Sequence, residues 1–434
     1  MRRIFTAAIM ATLLVSCVGT KKEAMPWEGK IKEDEQQEQE GEQGLPAGYV
    51  TGKKLPAWSE GVFDIHAINS ARGECSFIIM PDGTTMVIDA GEVESSSSYN
   101  SVPARPNATI KPYKVYADYI KAFRPAGATA IDYFNLSHYH SDHAGVDATK
   151  GYSLDPAGGY PLLGMYGLYS EIPYNTLIDR DYPRIDQTTV AGEVDGSNMN
   201  MGVYQSFVNY LVSNNKLKVE KARVGAVDQV VLKKNATKYS NFKVQCVGGN
   251  GYAWNGSASV DFRNKAENAR SVCWLFSYGK FDYFTSGDMN NTNECKAVVN
   301  GIGRKVEAMK CHHHMSNPDS FNADNAVLEP KVIVTQSFYV RPNQPHQTII
   351  SECKPNQNMF FTNIDFTLAA KEGATVGGTK NIPLDQSKYT KVKDRNGHVV
   401  IRFFPGKEQF YVFMLDDTDQ LYKIKAIYGP YSCY

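Results

Sequence analysis

Three histidines and an aspartate lie within six consecutive positions of the chain, as His138, His140, Asp142 and His143. They follow the largely apolar run 131–136, which is typical of a short buried strand. Side chains two positions apart in an extended segment share a face, so the first two histidines can serve one ion and the other two residues a second. Imidazole and carboxylate groups favour a borderline metal such as zinc. A solvated polar loop is the ordinary alternative, but the whole chain has only nine histidines.

Two further groups of ligand-type residues also follow predicted strands. The apolar run 281–285 leads through Gly287 to Asp288, and the short run 306–309 leads to the three histidines 312–314. A Gly-Asp pair at a strand end is commonly only a turn, and three successive histidines can be a chance tract. Their positions directly after predicted strands favour membership of the same metal site.

These segments together resemble the metallo-β-lactamase superfamily, whose His-x-His-x-Asp-His motif matches positions 138–143. The resemblance covers roughly residues 58–431. It implies an α+β fold, an αββα sandwich of two β-sheets flanked by helices, with extra strands at the C-terminal end. The short strands with ligands at their ends agree with a mixed fold, although propensity alone does not define this sandwich.

The resemblance also implies a role for each candidate residue around two zinc ions, although other divalent metals suit the same ligands. Asp288 is the implied bridge between the ions, and Asp142 and Asp288 are the implied catalytic residues. The predicted hairpin 75–88 ends at Asp89, a turn residue when taken alone, which the resemblance makes a brace for the histidine loop. The implied metal ligands are His138, His140, Asp142, His143, Asp288 and His313, and the residues implied to orient ligands or contact substrate are Asp89, His314 and His346.

The pair His313 and His314 resembles one branch of the superfamily, which includes competence-type DNA-uptake proteins and phosphorylcholine esterases. Met315 departs from the glycine of that branch, and no histidine lies between His143 and Asp288, where many members supply one. Zinc lowers the pKa of a bound water to about 7, which makes hydroxide available near neutral pH. The resemblance therefore implies a metal-dependent hydrolase, with a phosphoester substrate favoured by the branch. The alternatives are a nuclease, or a non-catalytic binding lipoprotein with a degenerate metal site.

The first 57 residues predict export rather than a folded domain. Residues 1–17 combine a basic start with an apolar stretch too short to span a membrane, as in a signal peptide. The segment 14–17 resembles a bacterial lipoprotein signal, which implies lipid on Cys17, while an ordinary secretory signal with an incidental cysteine is the alternative. Residues 18–57 are mostly polar and predict a flexible linker, or else a solvated helix. We expect a cell-envelope protein held on a membrane surface by its lipid.

Residues 58–434 form one predicted domain, because no internal repeat or composition break follows Trp58. The formal net charge is zero, so the chain as a whole does not attract nucleic acid, although a local basic groove is left open. We expect a small-molecule or cell-envelope substrate, and the sequence leaves the oligomeric state open. The stretch 150–200 predicts a long loop. Its charged triplet 179–181 can contact substrate, although a surface ion pair is the commoner outcome, and residues 230–232 predict a strand.

Overall fold

Apolar runs bounded by turn residues become strands in this protein. The computed structural model describes residues 44–93, 103–145, 151–185, 199–337, 344–364, 375–376, 379–380 and 391–434. The strands are β1 (Phe63–Ala67), β2 (Ser76–Ile79), β3 (Thr85–Ile88), β4 (Ile131–Asn135), β5 (Tyr174–Asp179), β6 (Lys218–Lys221), β7 (Phe242–Gly249), β8 (Tyr252–Trp254), β9 (Ser259–Asp261), β10 (Cys273–Tyr278), β11 (Phe281–Thr285), β12 (Ala308–Lys310), β13 (Val332–Thr335), β14 (Asn358–Phe361), β15 (Thr375–Val376), β16 (Thr379–Lys380), β17 (Val392–Arg395), β18 (His398–Phe404), β19 (Gln409–Leu415) and β20 (Ile424–Ser432).

Helices form where apolar residues recur at helical spacing. The helix α1 (Pro112–Phe123) shows the pattern, because it starts with a proline, buries Tyr116, Tyr119 and Ile120, and ends before Pro125. The other helices are α2 (Ser141–Ala144), α3 (Gly164–Glu171), α4 (Met201–Ser213), α5 (Thr292–Ile302), α6 (Pro318–Val327) and α7 (Gln347–Glu352), with 3-10 turns at Asn268–Arg270, His313–Met315 and Pro405–Lys407.

The strands form two nine-stranded sheets and a separate β15–β16 pair. The first sheet has the order β20-β19-β18-β1-β2-β3-β4-β5-β6, and the second has the order β17-β14-β13-β12-β11-β10-β7-β8-β9. In the first sheet β3, β4, β5 and β6 run parallel, and in the second β11, β12, β13 and β14 do so. Segments that leave neighbouring parallel strands therefore emerge at one edge of each sheet.

The sheets pack face to face around an apolar core to which both contribute, including Phe63 of β1 and Trp274 and Phe276 of β10. A second apolar layer lies between the second sheet and α5, α6 and α7, where Val298 and Phe321 are buried. Helix α1 packs on the outer face of the first sheet. This order of layers is the αββα arrangement, and it confirms the predicted α+β class. The extra C-terminal strands β18, β19 and β20 extend the first sheet beside β1.

Two local predictions were wrong. The predicted loop 150–200 contains helix α3 and strand β5. Residues 230–232 do not form a strand, because backbone groups in and beside this segment form hydrogen bonds with side chains instead of with a neighbouring strand. The N–H of Val231 donates to the Tyr133 hydroxyl at 3.1 Å, and the N–H of Lys233 donates to Thr84 Oγ1 at 2.7 Å.

The chain divides into two compact units, residues 1–50 and 51–434. The structure describes only residues 44–50 of the first unit, so the predicted signal peptide, Cys17 and most of the predicted linker lie outside the described residues. Within the described part, no helix has both the length and the apolar character needed to cross a membrane.

Candidate metal centre

The ligand segments meet where the carboxyl ends of β3 and β4 face those of β11 and β12. Two hydrogen bonds join the sheets beside this point. The N–H of Val272 donates to the carbonyl of Ser137 at 2.9 Å, and Trp274 Nε1 donates to Asn135 Oδ1 at 2.8 Å. The parallel topology of each sheet therefore brings together segments that are more than 100 positions apart in the sequence.

Asp89 braces the histidine loop from the end of β3. Its carboxylate accepts from the N–H and the hydroxyl of Ser137, both at 2.7 Å, and lies 2.8 Å from Nδ1 of His143. The backbone of Asp89 is left-handed, with φ at 63°, a conformation that aspartate tolerates better than most residues. A carboxylate on Nδ1 fixes the tautomer of the imidazole and leaves Nε2 facing the site.

The Nε2 atoms of three histidines converge on Asp288. The distances from Asp288 Oδ2 to Nε2 are 3.1 Å for His143, 3.3 Å for His314 and 4.0 Å for His138. Asp142 Oδ2 lies on the other side of the His314 ring nitrogen, at 3.2 Å. Donor atoms from three distant segments therefore surround one small volume.

His140 completes this set. Donor atoms of His138, His140 and Asp288 all lie within 4.8 Å of one another, and the rings of the two histidines are 4.6 Å apart between centroids. We refer to His138, His140, Asp142, His143, Asp288 and His314 as the metal centre.

Glu74 is a member of the site that the sequence analysis missed. Its carboxylate has donor atoms within 4.8 Å of those of His143, Asp288 and His314. It approaches the Nδ1 side of His314, at 2.9 Å, rather than the Nε2 side that faces the ion position. The hydrogen bond that orients His314 joins its Nδ1 to the carbonyl of Gln336 at 3.0 Å, so we assign Glu74 an electrostatic role beside this imidazole. The only feature of the sequence that could have indicated Glu74 is the position of an acidic residue directly before a predicted strand.

Lys310, at the end of β12, is a second group that the sequence analysis missed. Its Nζ lies 2.7 Å from Glu74 Oε2, donates to the carbonyl of Gly287 at 2.8 Å, and is 4.0 Å from Asp288 Oδ1. The side chain is almost completely buried. A buried ammonium beside Glu74 balances that carboxylate and fixes its orientation.

The electrostatics of the centre require positive charge. Burial acts to lower the pKa values of His143 and His314, but the carboxylates around them, Asp288 above all, outweigh it and hold both pKa values well above the usual range. Burial acts to raise the pKa of Asp288, and the same two imidazoles hold it well below its usual range. The buried carboxylates around His143 and His314 therefore stabilise positive charge at this position.

The residues of the centre fit a divalent metal. The buried atoms His138 Nε2 and His143 Nε2 make no hydrogen bond among the described residues, although both face Asp288. Native proteins rarely leave such atoms unpaired in their interior, and a metal ion would satisfy them. The donor set of imidazole nitrogens and carboxylate oxygens suits zinc and its neighbours in the first transition row.

The second histidine segment is arranged differently from the sequence expectation. His314, expected to orient ligands, lies in the centre. His313, expected to be a ligand, turns away, with its ring bonded to Asn268 at 3.2 Å and to Ser316 at 2.6 Å. His346 caps helix α7 through a 3.2 Å bond from the N–H of Thr348. Its own N–H donates to the carbonyl of Met315, which supports the turn beside His314.

A buried ion pair supports the loop from the side opposite Asp89. Arg180 binds Glu267 through two 2.8 Å hydrogen bonds, and Glu267 also accepts from the N–H of Tyr139, between the first two histidines. The guanidinium lies over the Tyr139 ring, 4.0 Å from its centroid. Within the triplet 179–181, Arg180 is therefore fully buried in a structural role, whereas Asp181 forms ion pairs with the part-exposed Arg184 and Lys221, each at 2.7 Å.

Comparisons with known proteins give weak structural likenesses and no sequence match. No family model and no curated protein matches the chain. It is similar to a mutant of the CmlA beta-hydroxylase (12% identity, TM-score 0.35), covering 64% of this chain and 46% of that one. It is also similar to the metallo-beta-lactamase fold protein YhfI from Bacillus subtilis (8% identity, TM-score 0.29), with 63% of this chain and 85% of that one covered. A third similar structure is the Zn(2+)-bound PqqB from Methylobacterium extorquens (11% identity, TM-score 0.32), with 67% of this chain and 76% of that one covered.

The chain spans less than half of the CmlA chain that it matches. At these TM-scores we draw no functional conclusion from the likenesses, and the function proposed below depends on the side chains of this protein.

Proposed function

We propose that this protein is a metal-dependent hydrolase that binds two zinc-like ions at the metal centre. The observation that carries the proposal is the convergence of the His138, His143 and His314 Nε2 atoms on Asp288. Such a set of donors, with His143 oriented through Nδ1 by a carboxylate and His314 by a backbone carbonyl, is built for a cation rather than for packing.

When bound, a pair of zinc-type ions supplies Lewis acidity and lowers the pKa of a water molecule to about 7. Asp288 offsets the positive charge between the two ion positions. Asp89 accepts the Nδ1 proton of His143, and the carbonyl of Gln336 accepts that of His314, which would keep both Nε2 lone pairs toward the ions. Burial acts to raise the pKa of Asp142, but its hydrogen bond with His314 outweighs this and holds the pKa below its usual range, so the carboxylate could orient a water molecule.

Phosphoesters are the substrate class that we propose. The ligands of the metal centre would hold cations that can neutralise the negative oxygens of a phosphoryl group, which is the chemistry that phosphoester hydrolysis requires. The resemblance of the His313–His314 segment to the esterase and DNA-uptake branch favours the same class. We further propose that lipid on Cys17 holds the enzyme at a membrane surface of the bacterial envelope, where a small-molecule or envelope-derived phosphoester would be the substrate.

The proposal is tested by metal analysis and by turnover of a chromogenic phosphodiester with the purified chain. We expect about two ions per chain and hydrolysis in the wild type. Asp288→Asn should lose at least one ion and most of the activity, because it keeps the side-chain shape but removes the charge that separates two cations. Asp282→Asn is the matched control, since Asp282 is a buried carboxylate on β11 that pairs with Arg304.

Two results would contradict the proposal. Wild-type protein that takes up no metal on reconstitution would exclude a metal-dependent enzyme. Full metal content without hydrolysis of any chromogenic ester would instead support a metal-binding lipoprotein.

A further inference from the structure

A second cluster of metal-type ligands lies in the apolar layer behind the second sheet. It consists of Cys295 on α5, His312 after β12 and Asp324 on α6, whose donor atoms all lie within 4.8 Å of one another. The three residues are only 2%, 1% and 1% exposed. None of them belongs to the metal centre, and the proposed hydrolysis does not use them.

Three polar atoms of this cluster lack hydrogen-bond partners among the described residues. His312 Nε2 and both carboxylate oxygens of Asp324 are buried without a hydrogen bond in the described structure. Burial with no compensating partner raises the pKa of Asp324 well above its usual range. Burying a carboxylate with two unpaired oxygens inside an apolar layer lowers the stability of the folded state, so this arrangement requires a specific explanation.

A neutral Asp324 that shares a proton with His312 explains only part of this arrangement. It leaves the second carboxylate oxygen unpaired and gives no reason for the adjacent Cys295 thiol. One cation would satisfy all three side chains. The distance from His312 Nε2 to Asp324 Oδ2 is 3.3 Å, and zinc with ligand bonds of about 2.0–2.3 Å in a tetrahedron requires ligand separations of about 3.3–3.8 Å.

The surroundings of His312 also suit a ligand. Its Nδ1 lies 2.8 Å from the hydroxyl of Ser286, which can accept the Nδ1 proton and leave the Nε2 lone pair toward Cys295 and Asp324. Such a partner on the far ring nitrogen is typical of metal-binding histidines.

We propose that Cys295, His312 and Asp324 form a structural site for a thiophilic divalent cation such as zinc. On binding, the Cys295 thiol and any protonated Asp324 release their protons to solvent. The ion would tie α5 and α6 to the turn that carries His314, and so hold that ligand of the metal centre in position. The proposal does not depend on the hydrolase function, because it concerns different side chains.

Cobalt(II) substitution tests the site directly. The metal centre contains no cysteine, so a thiolate-to-cobalt charge-transfer band in the near ultraviolet reports only on the cluster around Cys295. We expect this band in the wild type, its loss in Cys295→Ser, and its retention in Cys353→Ser. Cys353 is the matched control because it is a buried thiol of the same apolar layer.

X-ray absorption of the zinc-loaded wild type makes the test independent of whether a variant folds. We expect one sulfur scatterer at about 2.3 Å on a fraction of the zinc. The proposal is overturned if cobalt loads the metal centre, as its visible absorption shows, without a thiolate band, if zinc shows no sulfur scatterer, or if the band persists in folded Cys295→Ser.

Discussion

At the scale of single residues, the turn after β12 decides which histidine reaches the metal centre. His313, His314 and Met315 have φ values of 47°, 50° and 62°, so three successive residues adopt the left-handed conformation. Such strain is characteristic of functional sites and persists only where the surroundings hold it. The left-handed turn points His314 inward and His313 toward Ser316, which counting along the sequence could not show.

We predict that His314→Asn removes at least one metal ion and most hydrolytic activity, whereas His313→Asn keeps most of both. Asparagine is chosen because it tolerates the left-handed backbone that each position requires. Elemental analysis and turnover of the chromogenic phosphodiester measure the difference. The reverse order of the two effects would restore His313 as the ligand and contradict the geometry described above.

A second residue-scale prediction concerns His398, a buried histidine remote from the metal centre. Its Nδ1 accepts a 3.0 Å hydrogen bond from the N–H of Asn69, and burial lowers its pKa to about 3. The unfolded chain has a histidine pKa near 6.5, so between about pH 6.5 and 3 the unfolded state binds the extra proton. The contribution of His398 to the free energy of unfolding is therefore fully present above about pH 6.5 and decreases as the pH falls below that value.

Urea unfolding at pH 6.5 and 5.5 checks this sign. His398→Gln should flatten the acid dependence of the unfolding free energy by up to about 1.4 kcal/mol per pH unit relative to the wild type. Both proteins are measured with a chelator, so that the histidines of the metal centre contribute equally. Parallel pH dependences in the two proteins would show that His398 is not the titrating group.

At the scale of elements, main-chain hydrogen bonds hold the histidine loop against the end of β3. The N–H of Ala90 donates to the carbonyl of His143 at 2.9 Å, and the N–H of Glu74 donates to the carbonyl of Asp142 at 2.8 Å. Between them lies Gly91, where an added Cβ would be 1.7 Å from the Asp142 carbonyl oxygen. The loop therefore packs directly on a backbone that has no room for a side chain.

We predict that Gly91→Ala displaces this loop, lowers metal content and destabilises the fold by about 1–3 kcal/mol, the usual cost of overpacking. Gly406→Ala is the control, because an added Cβ there meets no atom within 4 Å. Metal analysis and thermal unfolding of both variants separate a local clash from a general effect of removing glycine. Equal metal content in the two variants would show that close packing at Gly91 does not position the ligands.

At the scale of the whole molecule, helices cover outer faces of both sheets, and this explains polar residues that a one-sided sheet would expose. Asp64 of β1 is fully buried and binds Arg402 of β18 through hydrogen bonds of 2.8 and 2.6 Å. Its neighbour His66 lies 2.9 Å from the hydroxyl of Tyr119 on α1. The alternation of apolar and polar residues along β1 therefore separates the inter-sheet core from a helix-covered face, not from solvent.

Membrane attachment is also a property of the whole protein, and its prediction rests on the sequence because Cys17 lies outside the described residues. We predict that Cys17→Ser releases the protein from the membrane fraction or leaves its signal uncleaved, since the variant has no thiol to carry lipid. Cell fractionation and gel migration provide the measurement. Wild-type behaviour of the variant in both assays would favour an ordinary secretory signal.

The sequence by itself determined the local elements and the order of the ligand segments. The predicted hairpin 75–88 is confirmed as β2 and β3, and the apolar run 281–285 is confirmed as strand β11. The fold class was also predicted correctly. The fold class was implied by the resemblance of the ligand motifs, whereas the local elements depend on turn residues and on apolar spacing over a few positions, which are visible in one stretch of chain.

Only the tertiary structure decided the partners of those ligands. Glu74 meets His314, Arg180 meets Glu267, and His312 meets Asp324, although the members of each pair belong to different elements. No local pattern specifies such contacts, because they follow from how parallel strands and their covering helices pack together. The choice of His314 over His313 has the same origin, since the packing around the turn determines which of two identical side chains points inward.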